Sequence, residues 1–256
     1  MTEKSSPEQE QRKEEIAARI AQIRRNVEEV RAQNGIAQEV TLLAATKTVS
    51  PELINFATQQ CGVTDIGENR VQELLEKYDR LDRKNVRIHF IGTLQPNKVK
   101  YIIDKVDLIH SLDSLKLAKE IDRQAEKVGR VMDVLIEINS GREPNKGGVM
   151  PEDAERFADE ILTFPHLRLC GVMTIGPICA EKAEYQKIFT ETYRIFIDIS
   201  EKKLHNISRR VLSMGMSDNY EDAVACGSGL IRIGTGIFGR RAPVIPRAGL
   251  TDECLK

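Results

Sequence analysis

The sequence predicts a (β/α)8 TIM barrel, and three observations carry that expectation. Short apolar runs alternate with amphipathic helical stretches, eight runs with seven helices between them. The runs are apolar on both faces, as the strands of a buried parallel sheet are. The length, 256 residues, matches one closed barrel of about 250 residues. An open, doubly wound sheet is the competing architecture, but no GxGxxG follows the first run.

The chain begins with a charged helix within residues 1–34. Ser6-Pro7-Glu8 supplies an N-cap, a proline in the first helical position and an acid in the first turn. Ile16, Ile20, Ile23, Val27 and Val30 then recur at helical spacing to about Arg31. This helix is expected to cover the gap left in an outer ring of seven helices, or the barrel floor, rather than to bind a partner. Beyond Gly35 the strands are read as Val40 to Val49, Asp65 to Glu68, Arg87 to Gly92, Leu108 to Asp113, Val134 to Asn139, Leu167 to Ile175, Val211 to Met216 and Leu230 to Ile237. Helices are expected to begin near Pro51, Asn69, Asn97, Ser114, Pro151, Glu181 and Ser217, most of them at Pro, Ser or Asn. No linker divides the chain, so residues 1–256 read as a single domain with no C-terminal β domain.

Composition excludes several classes of function. Lys and Arg number 38 against 39 Asp and Glu, a formal net charge of -1. That balance leaves no electrostatic footprint for nucleic acid and no general attraction to a membrane surface. No apolar run reaches the length of a spanning helix, and the N-terminus lacks a signal-peptide core. Cys61, Cys170, Cys179, Cys226 and Cys254 are odd in number and show no CxxC spacing. They read as free thiols in a reducing compartment, which makes a soluble, cytoplasmic protein the expectation.

In a barrel of this kind the chemistry lies at the C-terminal ends of the strands. Those ends carry Lys47, Glu68-Asn69, Gly92-Thr93, Asp113, Asn139, Thr174-Ile175, Ser213 to Ser217 and Gly234-Thr235. No metal-ligand cluster and no Ser-His-Asp set can be assembled from them. His89 and His110 fall within strand runs and read as core histidines, while His166 and His205 fall at helix or loop positions. Lys47 ends a buried strand, where desolvation favours the neutral amine and suits it to form an imine with an aldehyde. The alternative is that it marks where the strand surfaces, stem on the core and ammonium in water.

The last two strands run into Ser213-Met214-Gly215-Met216-Ser217-Asp218 and Gly234-Thr235-Gly236. Small residues let backbone N–H groups approach an anion, and this pair of loops is where barrels often hold phosphate. Tight turns and helix caps are the plainer explanation of each. Arg232 is a lone guanidinium in a strand that should be buried, so it needs a partner. Either it pairs with an acid such as Glu68 or Glu137, or it donates to a heteroaromatic nitrogen or a ligand anion. An imine-forming lysine, a phosphate pocket and an arginine for a ring nitrogen together describe a pyridoxal 5′-phosphate site.

The strings that carry a family likeness are Ala45-Thr46-Lys47-Thr48, Gly67-Glu68-Asn69-Arg70-Val71-Gln72-Glu73, His89-Phe90-Ile91-Gly92-Thr93-Leu94-Gln95-Pro96-Asn97-Lys98, His110-Ser111-Leu112-Asp113, Gly171-Val172-Met173-Thr174-Ile175, Leu212-Ser213-Met214-Gly215-Met216-Ser217-Asp218 and Arg232-Ile233-Gly234-Thr235-Gly236-Ile237-Phe238-Gly239. Through them the chain resembles the pyridoxal-phosphate homeostasis protein family, single-domain relatives of the alanine racemase barrel. The resemblance implies that Lys47 carries the cofactor as an internal imine, that Arg232 faces the pyridine nitrogen and that Asn69 lies near the ring. It implies that Ser213 or Ser217 joins Gly234 and Thr235 around the phosphate. It further implies a carrier or buffer of vitamin B6 with no established turnover, and apo forms of pyridoxal-phosphate-dependent enzymes as its recipients; the expected lack of a second domain makes a monomer the expectation. Arg70 and Asn219 depart from residues common in the family, which puts partner contacts in doubt more than cofactor binding.

An amino-acid racemase on the same scaffold is the main rival. Racemases of this resemblance take a second base, a tyrosine, from an additional β domain, whereas Tyr78, Tyr101, Tyr185, Tyr193 and Tyr220 fall here in helical stretches. A class I aldolase also uses a lysine imine and a phosphate pocket, but no acid–base partner is evident beside Lys47. Arg142 and Lys146, in the loop after the fifth strand, either guide an anionic cofactor or are ordinary solvated charges.

Overall fold

The computed structural model describes residues 6–176, 181–203 and 210–239. Within them eight parallel strands close into a barrel in strict chain order. These are β1 (Thr41–Ala45), β2 (Asp65–Glu68), β3 (Arg87–Phe90), β4 (Leu108–Leu112), β5 (Met132–Ile138), β6 (Leu167–Thr174), β7 (Val211–Ser213) and β8 (Leu230–Ile233). Closure is made by β8 on β1, where Thr41 stands opposite Leu230 and Leu43 opposite Arg232.

Around the strands lie α1 (Pro7–Gln33), α2 (Pro51–Gln60), α3 (Val71–Tyr78), α4 (Leu115–Lys127), α5 (Ala154–Ile161), α6 (Lys182–Lys203), α7 (Tyr220–Ala225) and α8 (Thr235–Phe238). The helix expected near Asn97 is instead a 3-10 turn, Pro96–Tyr101, which buries Val99 alone. One buried side chain in six residues is too little apolar stripe to hold a longer α-helix on the sheet. The helix expected from Pro151 likewise starts as a 3-10 turn before α5 takes over.

Two apolar layers sandwich the strand backbone. Leu43, Ala45, Ile91, Leu108, Leu135, Met173, Val211 and Leu230 fill the barrel interior. Alternate residues such as Leu42, Ala44, Ile66, Ile88, Val134 and Ile231 face the helices. Burial on both faces is why the strands read as continuous apolar runs.

The N-terminal helix has the expected cap: the Ser6 hydroxyl accepts from the Gln9 N–H, and the Gln9 side chain accepts from the Ser6 N–H. Its buried stripe is Ile16, Ile20, Ile23 and Val27. Midway along the helix Arg19 donates to the Ile237 carbonyl, beyond the C-terminal end of β8. Five residues further on, Arg24 donates to the carbonyls of Cys61 and Gly62, just before β2. The helix therefore runs along the wall over the β8–β1 seam and fills the gap in the ring; it does not lie across the floor.

Cys61, Cys170 and Cys226 are free thiols, whereas Cys179 and Cys254 lie outside the described residues. The expectation that no β domain follows β8 concerns residues 240–256, also outside them. Among the described residues no helix is long and apolar enough to cross a membrane, and no cluster of His, Cys, Asp and Glu has metal-binding geometry.

Candidate cofactor site at the barrel mouth

The inner row of β1 is Leu43 and Ala45, and the alternation that puts them inside continues to Lys47. Lys47 is half-buried, one residue past Thr46, which is wholly buried. Thr46 turns outward, its hydroxyl donating to Glu68 Oε1 at 2.6 Å and to the Gly67 carbonyl at 3.1 Å. On the other side Thr48 has φ +62°, a left-handed backbone that a β-branched residue adopts only when its surroundings compel it. The Glu73 carboxylate, from α3, accepts the Thr48 N–H and holds that turn. Lys47 is thus framed on both sides by hydrogen bonds made by its neighbours.

Outside this frame lies a second lysine that the sequence reading did not single out. Lys77, on α3, donates to the Thr46 carbonyl at 2.9 Å, to Glu68 Oε1 at 2.9 Å and to Glu73 Oε1 at 3.0 Å. Burial pushes the Glu68 carboxyl upward, against the opposing pull of Thr46 and Lys77. The Glu73-to-Lys77 spacing of four residues on a helix beside a buried Glu68 was the available signal.

Arg232 projects inward from β8 and is buried. Its Nη1 donates to Ser213 Oγ at 2.6 Å and its Nη2 to the Thr174 carbonyl at 2.9 Å. Neither acid suggested by the sequence makes these bonds. Glu68 is engaged by Lys77, while Glu137, on the inner face of β5, acts on Arg232 through its charge. Burial lowers the Arg232 guanidinium to about 10, with Glu137 opposing the shift. Burial raises the Glu137 carboxyl to about 7; the nearby Asp113 raises it further and Arg232 restrains it.

Ser213 also meets His110 Nδ1 at 3.1 Å, and His110 Nε2 meets His89 Nδ1 at 2.8 Å. Ser213 is therefore engaged deep in the barrel. Ser217 is the serine beside the β8 loop, where its Oγ accepts from the Gly236 N–H at 3.0 Å and from Thr235 Oγ1 at 3.1 Å. Gly234 leads into this turn. Asn219 fixes the facing loop, its Oδ1 accepting from the Met216 N–H at 2.8 Å. Gly215, at φ +94°, packs so closely that a Cβ would lie 2.6 Å from that of Ala223.

Asn69, just past β2, has its side-chain Oδ1 buried with no hydrogen-bond partner among the described residues. Gly92 presses on the Asn69 backbone, leaving 2.1 Å from a hypothetical Cβ to the Asn69 carbonyl. An unsatisfied buried acceptor, a cation with donors and a lysine are the polar groups a pyridoxal phosphate ring requires. The β5 loop is more tightly held than its composition suggests. Arg142 is bidentate to Glu191, Lys146 pairs with Glu143, and Asn139 bonds the Glu143 backbone. With both cations paired, the plainer reading of Arg142 and Lys146 as surface charges is favoured.

A family model described as the alanine racemase N-terminal domain matches residues 19–242. A pyridoxal phosphate homeostasis protein from Aquifex aeolicus is 44% identical over 200 residues, 78% of this chain and 86% of that one. The chain belongs to the pyridoxal phosphate homeostasis protein family. The Escherichia coli homeostasis protein is 34% identical over 231 residues, 89% of this chain and 97% of its own length. Among solved structures, PipY of Synechococcus elongatus with pyridoxal phosphate bound superposes with a TM-score of 0.76 at 31% identity. That match covers 88% of this chain and all of PipY. An alanine racemase from Clostridium difficile, at 17% identity and TM-score 0.66, shares the barrel over 55% of its chain. The homeostasis protein family thus has the barrel in common with the racemases.

Proposed function

We propose that this chain binds pyridoxal 5′-phosphate in the barrel mouth and serves inside the cell to store, buffer or deliver it. The observation that carries the reading is a buried, hydrogen-bonded arginine on β8, the strand paired with β1, whose end lies two residues before the half-buried Lys47. Lys47 would hold the cofactor through its side-chain amine, the group suited to condense with an aldehyde. Bound in this way, the cofactor supplies an electrophilic ring whose aldehyde is masked. Arg232 would offer N–H donors to the ring nitrogen, Asn69 would serve the ring, and Ser217, Gly234 and Thr235 would hold the phosphate. Ser213 contributes by holding Arg232.

Carriage rather than racemisation fits the tyrosines. Tyr220 Oη is bonded by Asn26 on the outer ring, Tyr185 stacks on Phe189, and Tyr101 and Tyr193 are exposed. A sustained racemase rate with alanine or serine would overturn that part of the proposal. The cofactor assignment is tested by borohydride reduction of the purified protein with pyridoxal phosphate, followed by peptide mapping. A reduced adduct concentrated on Lys47 is expected; adducts scattered over surface lysines would remove the assignment.

A further inference from the structure

Four polar side chains from four strands occupy a barrel interior that bulky aliphatic residues usually fill. Asp65 on β2, His89 on β3, His110 on β4 and Ser213 on β7 are all buried, and they end at Arg232 on β8. Polar groups in such a place are costly unless each finds its partner, so the order of their protons is constrained.

The donor inventory sets that order. A guanidinium has donors and no acceptor, so Ser213 Oγ accepts from Arg232 Nη1 at 2.6 Å. The single hydroxyl proton of Ser213 then points to His110 Nδ1, 3.1 Å away, which must be the unprotonated nitrogen of that ring. His110 therefore carries its proton on Nε2 and donates it to His89 Nδ1 at 2.8 Å. His89 in turn carries its proton on Nε2, which stands 3.0 Å from Asp65 Oδ1 as a close charge contact rather than an aligned hydrogen bond. The other carboxylate oxygen accepts from the Thr64 hydroxyl at 2.8 Å. A cation at one end and a carboxylate at the other give every link the same sense.

We propose that Asp65, His89, His110 and Ser213 form a one-directional hydrogen-bond relay that positions the Arg232 fork and fixes the donor pattern it presents at the mouth. All four are buried, and they are positioning residues acting through Arg232. What Arg232 faces rests on the cofactor reading above, whereas the relay itself does not. The electrostatics agree with the assigned protons. Burial, reinforced by the Arg232 and Arg87 charges, holds His110 well below the usual histidine value, so it stays neutral. Burial would raise the Asp65 carboxyl, but His89, Thr64 and Arg87 outweigh it and keep it below the ordinary range.

The test begins with the full, cofactor-free chain labelled with nitrogen-15 at its four histidines. Two-bond proton–nitrogen correlation is expected to find His89 and His110 neutral and protonated on Nε2 at neutral pH. An imidazolium, or a proton on His110 Nδ1, would overturn the relay. Asp65→Asn supplies an amide that can donate to His89 Nε2, so both rings are expected to switch to the Nδ1–H form. In the same variant loaded with pyridoxal phosphate, the absorption maximum of the Lys47 adduct is expected to shift while borohydride still traps Lys47. Inverted rings with an unmoved band would overturn the positioning role. Should Asp65→Asn fail to fold, the tautomers of the unsubstituted chain still decide whether the relay exists. If the unsubstituted protein forms no adduct, the cofactor reading falls and the relay's role with it, but the ring tautomers stand independently.

Discussion

Glu137 is a carboxyl on the inner face of β5, raised by burial to about 7 from an ordinary value of 4.5. A folded-state value above the unfolded one means that folding favours the protonated form. The associated stability is fully present below the unfolded value and is lost as pH rises through about 7. The cofactor-free protein should therefore be on the order of 3 kcal/mol less stable at about pH 8 than at about pH 5 from this group alone. Glu137→Gln should abolish most of that slope, measured as urea midpoints at the two pH values; an unchanged slope would show that another group sets it. Lys47 and Arg232 were legible in the sequence for a related reason: each is a charge interrupting an apolar run, and such a charge requires an explanation. The partners of Arg232 were not legible. Ser213 and the Thr174 carbonyl come from β7 and β6, and only closure of the barrel brings them to β8.

At the scale of elements, the order and type of the strands follow from the alternation of apolar runs, but their ends do not. The first and last strands were expected to reach Val49 and Ile237, whereas β1 stops at Ala45 and β8 at Ile233. Both overshoots have one cause: Val49 and Ile237 are buried over the ends of the barrel after ladder pairing has ceased, so apolarity outlasts the hydrogen bonds. The stripe of α1 was visible from its period, while its seat over the β8–β1 seam required the closed sheet. Removing part of that stripe should be costly. Ile20→Ala is expected to lose about 2–5 kcal/mol in chemical denaturation, and Leu75→Ala on the exposed face of α3 within about 0.5 kcal/mol. Equal effects would mean that α1 is not an integral wall. Gly92→Ala tests the contact between the β3 end and Asn69. With 2.1 Å to a backbone oxygen and no flexible side chain to yield, the Asn69 turn must move. Cofactor affinity should fall at least several-fold by titration, and unaltered affinity would remove Asn69 from the site.

For the molecule as a whole, a ligand held by residues gathered from separate strands of the folded barrel should act on stability by mass action. At about 100 times its dissociation constant, pyridoxal phosphate should add about 2.7 kcal/mol to unfolding, and Lys47→Ala at the same concentration should retain only a small part. Equal stabilisation of the two proteins would place the binding elsewhere. The sequence located the rim of this mouth through its glycines and hydroxyls but left Ser213 and Ser217 undivided. Met214 and Gly215 still bond the backbone of β8 beyond the end of β7, but Gly215 does so at φ +94°, so period-two counting fails there and does not carry the facing of Ser213 on to Ser217. Lys77 carries a consequence of a different kind. A protein whose cargo is an aldehyde exposes its own amines to that cargo, and an amine reacts only through its nitrogen lone pair. The Lys77 nitrogen donates to oxygens of Thr46, Glu68 and Glu73, and these three contacts crowd the approach of an aldehyde to it. Two carboxylates and a carbonyl act there as a chemist's protecting group, keeping the cargo from being consumed by the wall of its own container.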